Sequence, residues 1–199
     1  MATRTAVEMS RREAILDAAL ECFLLNGVAG TTIDDLRMRS GASVGSVYHH
    51  FGSKEGLAAE LYLKTLRDYQ DSFIAALRAS RSARSGVEGS VRHHLRWVAA
   101  HPDRASYLFH CREPEVIAAS DAAAKELNAG FYAQASAWLV DQVQRHHIRA
   151  LPPALYHALW MGPSLEFARQ WLAGARDRAN LLSAEAPLAQ AAWAALKAG

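Results

Sequence analysis

Between Ser40 and Leu57 the chain reads SGASVGSVYHHFGSKEGL, where Tyr48, His49, His50 and Lys54 stand close together, just after Ser43, Gly45 and Ser46. Such a set could hold a metal, run acid–base chemistry, or donate hydrogen bonds to a polyanion. Spacing argues against a metal. The pairs His49-His50, His93-His94 and His146-His147 are adjacent, and no two histidines stand four apart, the spacing that puts two ligands on one helix face. The mixed group His110, Cys111 and Glu113 is the remaining candidate, and a metal site is not expected there. Catalysis lacks a frame too, since no Walker A loop, H-E-x-x-H or dinucleotide fingerprint occurs. The expectation is a protein that is not an enzyme and carries no cofactor and no metal. Donors beside residues with almost no side chain fit the third chemistry, close approach to a phosphate-bearing surface.

The elements that must position these residues are helices. At 199 residues and 51% hydrophobic, the chain can bury a sizeable core. Strand-like alternation is almost absent, so the fold class is all-α, with about nine helices expected. Ser10, with Glu13 three residues on, is placed to cap a first helix carrying Ile15, Ala19, Cys22 and Phe23 and stopped at Asn26-Gly27. Thr31 or Thr32 opens a second, with Asp34 and Asp35 in its first turn. Ser40-Gly41 ends it, Ser43 caps a third through His50 or Phe51, and a long helix follows from about Lys54 to Ala79.

The polar stretch Arg78 to Gly86 reads as a connection. Further helices are expected over 87–100, 102–111, 113 to about 147 with an interruption near Asn128-Gly130, 153–173 with a kink at Gly162-Pro163, and 186–197. No apolar run reaches the roughly 18 to 20 residues that span a bilayer, and the first residues lack the apolar stretch of a signal peptide, so a cytoplasmic location is expected. Cys22 and Cys111 are expected as buried thiols.

Three short helices with the turn Ser40-Gly41-Ala42 between the second and third make a helix-turn-helix, whose second helix lies in a DNA major groove. Ser43, Gly45 and Ser46 remove bulk where that helix must approach base edges, and its N-terminal N–H groups suit a phosphate oxygen. Val47 and Phe51, four apart, hold it on the bundle. Bulk charge contributes little. Residues 1–56 carry six basic groups (Arg4, Arg11, Arg12, Arg37, Arg39, Lys54) against seven acidic ones (Glu8, Glu13, Asp17, Glu21, Asp34, Asp35, Glu55). A nucleic-acid reading therefore rests on geometry.

The segment RREAILDAALECFLLNGVAGTTIDDLRMRSGASVGSVYHHFGSKEGL resembles the N-terminal domain of the TetR family of bacterial transcriptional regulators. The resemblance is carried by Ile15, Ala18-Ala19, Phe23, Gly27, Thr31-Thr32, Ile33, Leu36, Gly41, Ser43, Val47-Tyr48, Phe51, Lys54-Glu55 and Leu57. It implies a DNA-binding domain over 1–56, a three-helix bundle with the helix-turn-helix, and a larger helical ligand-binding and dimerisation bundle over 57–199. It further implies a repressor whose homodimer grips a palindromic operator and releases it when a small-molecule effector binds. The family's DNA-contacting positions fall on Thr32, Ser43, Val44, Gly45, Ser46, Tyr48, His49, His50 and Lys54, with Thr32 and Lys54 on phosphate. Val44 departs from the polar side chains often found at its position, and could touch only a thymine methyl.

Beyond residue 87 the resemblance is general and the residues themselves carry the reading. The stretch LYHALWMGPSLEFARQWLAG is apolar nearly all round, so one side packs on its own bundle and the other on a second subunit. With the last helix it forms a four-helix seam of Leu155, Leu159, Phe167, Trp171, Leu188, Ala192, Trp193 and Leu196. Aromatic residues with a few polar groups, Tyr69, Phe73, His94, Tyr107, Phe131, Gln134, Trp138, Trp160 and Ser164, suit a pocket for a mostly apolar ligand, aromatic or acyl. The competing reading is a helical-bundle small-molecule-binding protein or enzyme without DNA binding.

Overall fold

The computed structural model describes residues 2–110, 113–174 and 177–199, and the backbone alone for residues 2–10 and 178. Cys111 lies outside the described residues. The helices are α1 (Ala2–Gly30), α2 (Ile33–Ser40), α3 (Val44–Phe51), α4 (Lys54–Arg78), α5 (Ala83–Ala100), α6 (Pro102–His110), α7 (Pro114–Gln144), α8 (Pro153–Trp160), α9 (Gly162–Ala173), α10 (Arg178–Ser183) and α11 (Glu185–Leu196). Among the described residues the all-α fold holds, and the one extended pairing is an isolated bridge between Ile148 and Lys197.

The described helical segments exceed the nine expected, for local reasons. The span 153–173 divides at Met161, because Pro163 has no N–H to continue the ladder of α8. The short α10 was not expected; Asp177 caps it by accepting the Ala179 N–H at 3.0 Å. Helix α1 begins at Ala2, which puts Ser10 inside the helix and not at its cap. Helix α5 starts four residues earlier than expected, since Ser82 and Ser85 form a capping box that the polar connection concealed. Helix α7 runs unbroken past Asn128-Gly130: the Asn128 carboxamide accepts from Gln70 Nε2 at 2.7 Å and leaves the helix backbone alone.

Contacts divide the chain into two compact units, Met1–Leu66 with Asp103–Lys125, and Arg67–Pro102 with Glu126–Gly199. The first has a core of Ile15, Leu16, Ala19, Phe23, Leu36, Val47, Leu57 and Leu61, joined by Tyr107 from α6 and Val116 from α7. Tyr107 stacks on Phe23 and its hydroxyl donates to the Ala58 carbonyl at 2.9 Å, so a buried phenol leaves no unmet donor.

In the second unit α5 supplies the fully buried Val87, Val91, Leu95 and Val98 and packs against α11, whose Ala189, Ala192 and Leu196 are also buried. Gly86 is where α5 admits Trp138 of α7; a Cβ there would collide with the indole ring. Trp138 lies 5.4 Å from Trp160, whose Nε1–H donates to the Ser90 hydroxyl at 2.8 Å.

Candidate nucleic-acid interface

Three local devices build the turn that aims α3. Gly41 closes α2 in the left-handed region at φ 66°, where an L side chain is strained, and its N–H returns to the Arg37 carbonyl. The Ser40 hydroxyl accepts the Ala42 N–H while donating to the Leu36 carbonyl. Ser43 then caps α3, its hydroxyl accepting the Ser46 N–H at 3.1 Å.

Burial of Val47, 1% exposed in the first unit's core, sets the rotation of α3. The opposite face carries Val44, Gly45, Tyr48 and His49, all exposed, with Val44 at 41% and Tyr48 at 48%. Ser46 and His50 sit at the edges, half-buried, and the His50 ring meets Phe51 edge-on. Phe51 packs against the core, with the Arg12 guanidinium 5.4 Å above its ring. The exposed face is two turns long and has almost no bulk at its N-terminal end.

Thr32, left open with Thr31 as the opener of α2, is the cap. Its hydroxyl accepts the Asp35 N–H at 3.1 Å and donates to Asp35 Oδ2 at 2.7 Å, while the same carboxylate accepts the Thr32 N–H. These bonds hold the Asp35 carboxyl below the usual carboxylate range. Thr31 is buried instead, donating to the Gly27 carbonyl at 2.7 Å. Lys54, at the start of α4, directs Nζ back to the carbonyls of Ala29 and Thr31 at 3.1 and 2.8 Å, using two of its three donors.

Glu113, to which the sequence assigned no part in this site, accepts the Val28 N–H at 3.1 Å beside Gly27, where α1 breaks at φ 69°. Eighty-five positions separate the partners, so no local pattern could have pointed to it. The basic side chains of α2 are engaged: Arg37 pairs with Asp34 at 3.2 Å and Arg39 with Glu21 at 2.7 Å.

The run Gly41-Ala42-Ser43-Val44-Gly45 spells the G-x-S-x-G pattern of hydrolase nucleophiles, but that chemistry needs a strand-to-helix elbow. Here the serine lies between two helices with its hydroxyl in a cap. Among the described residues no three His, Cys, Asp or Glu side chains are grouped as a metal would need.

The expected pocket residues do not all come together. Tyr69, Phe73, His94 and Phe131 do: the Tyr69 hydroxyl and His94 Nδ1 share a hydrogen bond of 2.9 Å, and the Phe73 ring lies 6.2 Å from Tyr69 and 5.3 Å from Phe131. Burial, with His93 beside it, pushes the His94 imidazole down to about 4, and burial raises the Tyr69 phenol. Trp138 and Trp160 form the separate pair at Gly86, and the buried Ser164 hydroxyl donates to the carbonyl of Met161, the residue before its helix. Gln134 is exposed and bonds to the Gly130 carbonyl, while Tyr107 belongs to the first unit.

Of the expected seam residues, Trp171, Ala192 and Leu196 are buried within the single chain. Leu155 is 43% exposed, and Leu159, Phe167, Leu188 and Trp193 are half-buried.

A capped turn, a helix rotated by one buried valine and an outward face of small and hydrogen-bonding residues define a helix-turn-helix domain. Residues 15–61 match the family model of the bacterial regulatory proteins of the tetR family, so this N-terminal segment is similar to the helix-turn-helix domains of that family. The chain is similar to the HTH-type transcriptional regulator BetI of Rhizobium meliloti, 30% identical over 89 residues, which are 45% of this chain and 44% of that protein. It is similar also to the HTH-type transcriptional repressor AcnR of Corynebacterium diphtheriae, 33% identical over 100 residues, 49% of this chain and 45% of the relative. The matches thus span under half of each relative's length. Over most of its length the fold resembles the transcriptional regulator FadR from Bacillus subtilis, solved in complex with stearoyl-CoA, with a TM-score of 0.77 at 16% identity over 92% of this chain and 98% of that one.

Proposed function

We propose that the protein is a transcriptional regulator, a repressor in the cytoplasm of a bacterium, whose homodimer binds a palindromic operator and lets go when a small, mostly apolar effector binds. Residues 1–56 serve DNA binding and residues 57–199 serve effector binding and dimerisation. Thr32, Ser43, Val44, Gly45, Ser46, Tyr48, His49, His50 and Lys54 form the DNA surface, Thr32 and Lys54 toward phosphate. The observation that carries the reading is the exposed face of α3. Gly45 is helical, at a site where a Cβ would meet only the Ser43 hydroxyl at 4.0 Å, so nothing inside the protein excludes a larger residue. A helix pays about 1 kcal/mol for such a glycine, and close approach to a duplex supplies the reason.

The effector reading is supported by the aromatic cluster of the buried Tyr69, Phe73 and His94 with the half-buried Phe131, and by the stearoyl-CoA complex of the structurally similar FadR. An acyl or aromatic compound is the ligand class. The dimer is proposed to form on the outward faces of α8, α9 and α11, through Leu155, Leu159, Phe167, Leu188 and Trp193. The test is a mobility-shift titration of the full chain on DNA flanking its own gene. Wild type is expected to shift a discrete fragment and Tyr48→Ala to lose most of that affinity; no shift by wild type even at low salt would remove the proposal.

A further inference from the structure

We infer that Val44 is a specificity-determining residue of the operator complex, and that the base it reads is a thymine, recognised through its C5-methyl group. The inference rests on the reading of α3 as the helix that enters the major groove. Major-groove recognition pairs Arg or Lys with guanine, Asn or Gln with adenine, Asp or Glu with cytosine, and an apolar side chain with the thymine methyl. Helix α3, Val44–Phe51, holds no Arg, Lys, Asn, Gln, Asp or Glu.

The polar candidates nearby are largely committed. The Ser43 hydroxyl accepts in its own cap, Thr32 is held by Asp35, Lys54 binds two carbonyls, and Arg37 and Arg39 are paired within the protein. On the exposed face of α3 this leaves Tyr48 and His49 as hydrogen-bonding groups and Val44 as the sole branched aliphatic side chain.

Two features fit Val44 to a methyl. It is the first residue of α3, where recognition helices meet base edges, and it is 41% exposed although its neighbour Val47 is buried. A valine reaches only as far as its γ carbons, so it touches a base edge only if the helix backbone comes close. Gly45, beside it on the same face, removes the side chain that would hold the backbone away. The short reader and the missing side chain therefore require each other.

Selection of bound duplexes from a random DNA pool by the full chain gives the half-site. Each thymine of that half-site is then replaced in turn by deoxyuridine, which deletes the methyl and leaves every hydrogen-bonding group in place. At one symmetric thymine pair, wild type is expected to lose about fourfold in affinity per methyl and about fifteenfold for both half-sites, the worth of one buried carbon each. Val44→Ala is expected to bind the thymine and deoxyuridine duplexes alike at that position while responding as wild type does at the others, and circular dichroism confirms that the exposed substitution leaves the helix content unchanged. The assignment is overturned if no deoxyuridine substitution weakens wild type, or if the loss is the same in Val44→Ala. A selection that enriches no sequence, with no DNA retained at low salt, overturns the DNA-binding reading and the assignment with it.

Discussion

A methyl group added at Gly45 meets only the Ser43 hydroxyl inside the protein, at an ordinary contact distance of 4.0 Å, and, in the proposed complex, the edge of the duplex. The two consequences have opposite signs. Gly45→Ala should raise the stability of the free protein by roughly 0.5 to 1 kcal/mol, because alanine loses less backbone entropy in a helix. Operator affinity should fall about tenfold, the scale of a close-packed contact forced apart. Thermal melting and fluorescence anisotropy on the selected duplex check the pair; equal affinity in the two proteins would show that α3 does not approach DNA along this face. Lys54 is a residue whose surroundings the structure redefines. Besides any phosphate it meets, its ammonium ties the start of α4 to the turn before α2, which a reading of residue type could not supply.

Helices α4 and α5 meet in the second unit around a histidine that no solvent reaches. His94 is 0% exposed, faces the Tyr69 hydroxyl, and has its imidazole pushed down to about 4 by burial, with His93 adding to the effect. A base whose folded pKa lies below its unfolded value binds fewer protons in the folded state. Its full contribution is present above about pH 6.5 and is lost as pH falls toward 4, a loss of about 3 kcal/mol. Urea unfolding between pH 7.5 and 4.5 should therefore show a steeper decline for wild type than for His94→Gln. Parallel curves would mean that His94 does not bring this pH dependence.

In the whole molecule, the operator reading requires two copies of α3. Successive half-sites lie about 34 to 36 Å apart along the duplex, and one subunit occupies one of them. Leu159→Arg, placed on the half-buried outward face of α8, should give monomers in sedimentation and lower operator affinity by at least about a hundredfold, since each subunit then binds alone. A dimer that survives the substitution would place the interface elsewhere.

Much of the first unit was legible in the chain of residues, because its signals are local. Ser43 as a cap, Gly41 as a turn, Val47 and Phe51 as the inward face and Tyr48 outward all follow from spacing within one helical turn, and the structure bears them out. The start of α5 was missed because Ser82 and Ser85 make their box inside a polar run that looked like a linker.

By itself the sequence determined the all-α class, the helix-turn-helix and the face of α3 that looks away from the core, since period and capping are encoded within a few residues of each position. Only the tertiary structure decided the partners of Glu113 and Tyr107, the place of Tyr107 in the core of the first unit, the exposure of Gln134, and the commitment of Thr32, Lys54, Arg37 and Arg39 to bonds within the protein. Long-range pairs depend on how helices distant in sequence come to lie together. Which polar groups remain free to read DNA depends in turn on those the fold has already used.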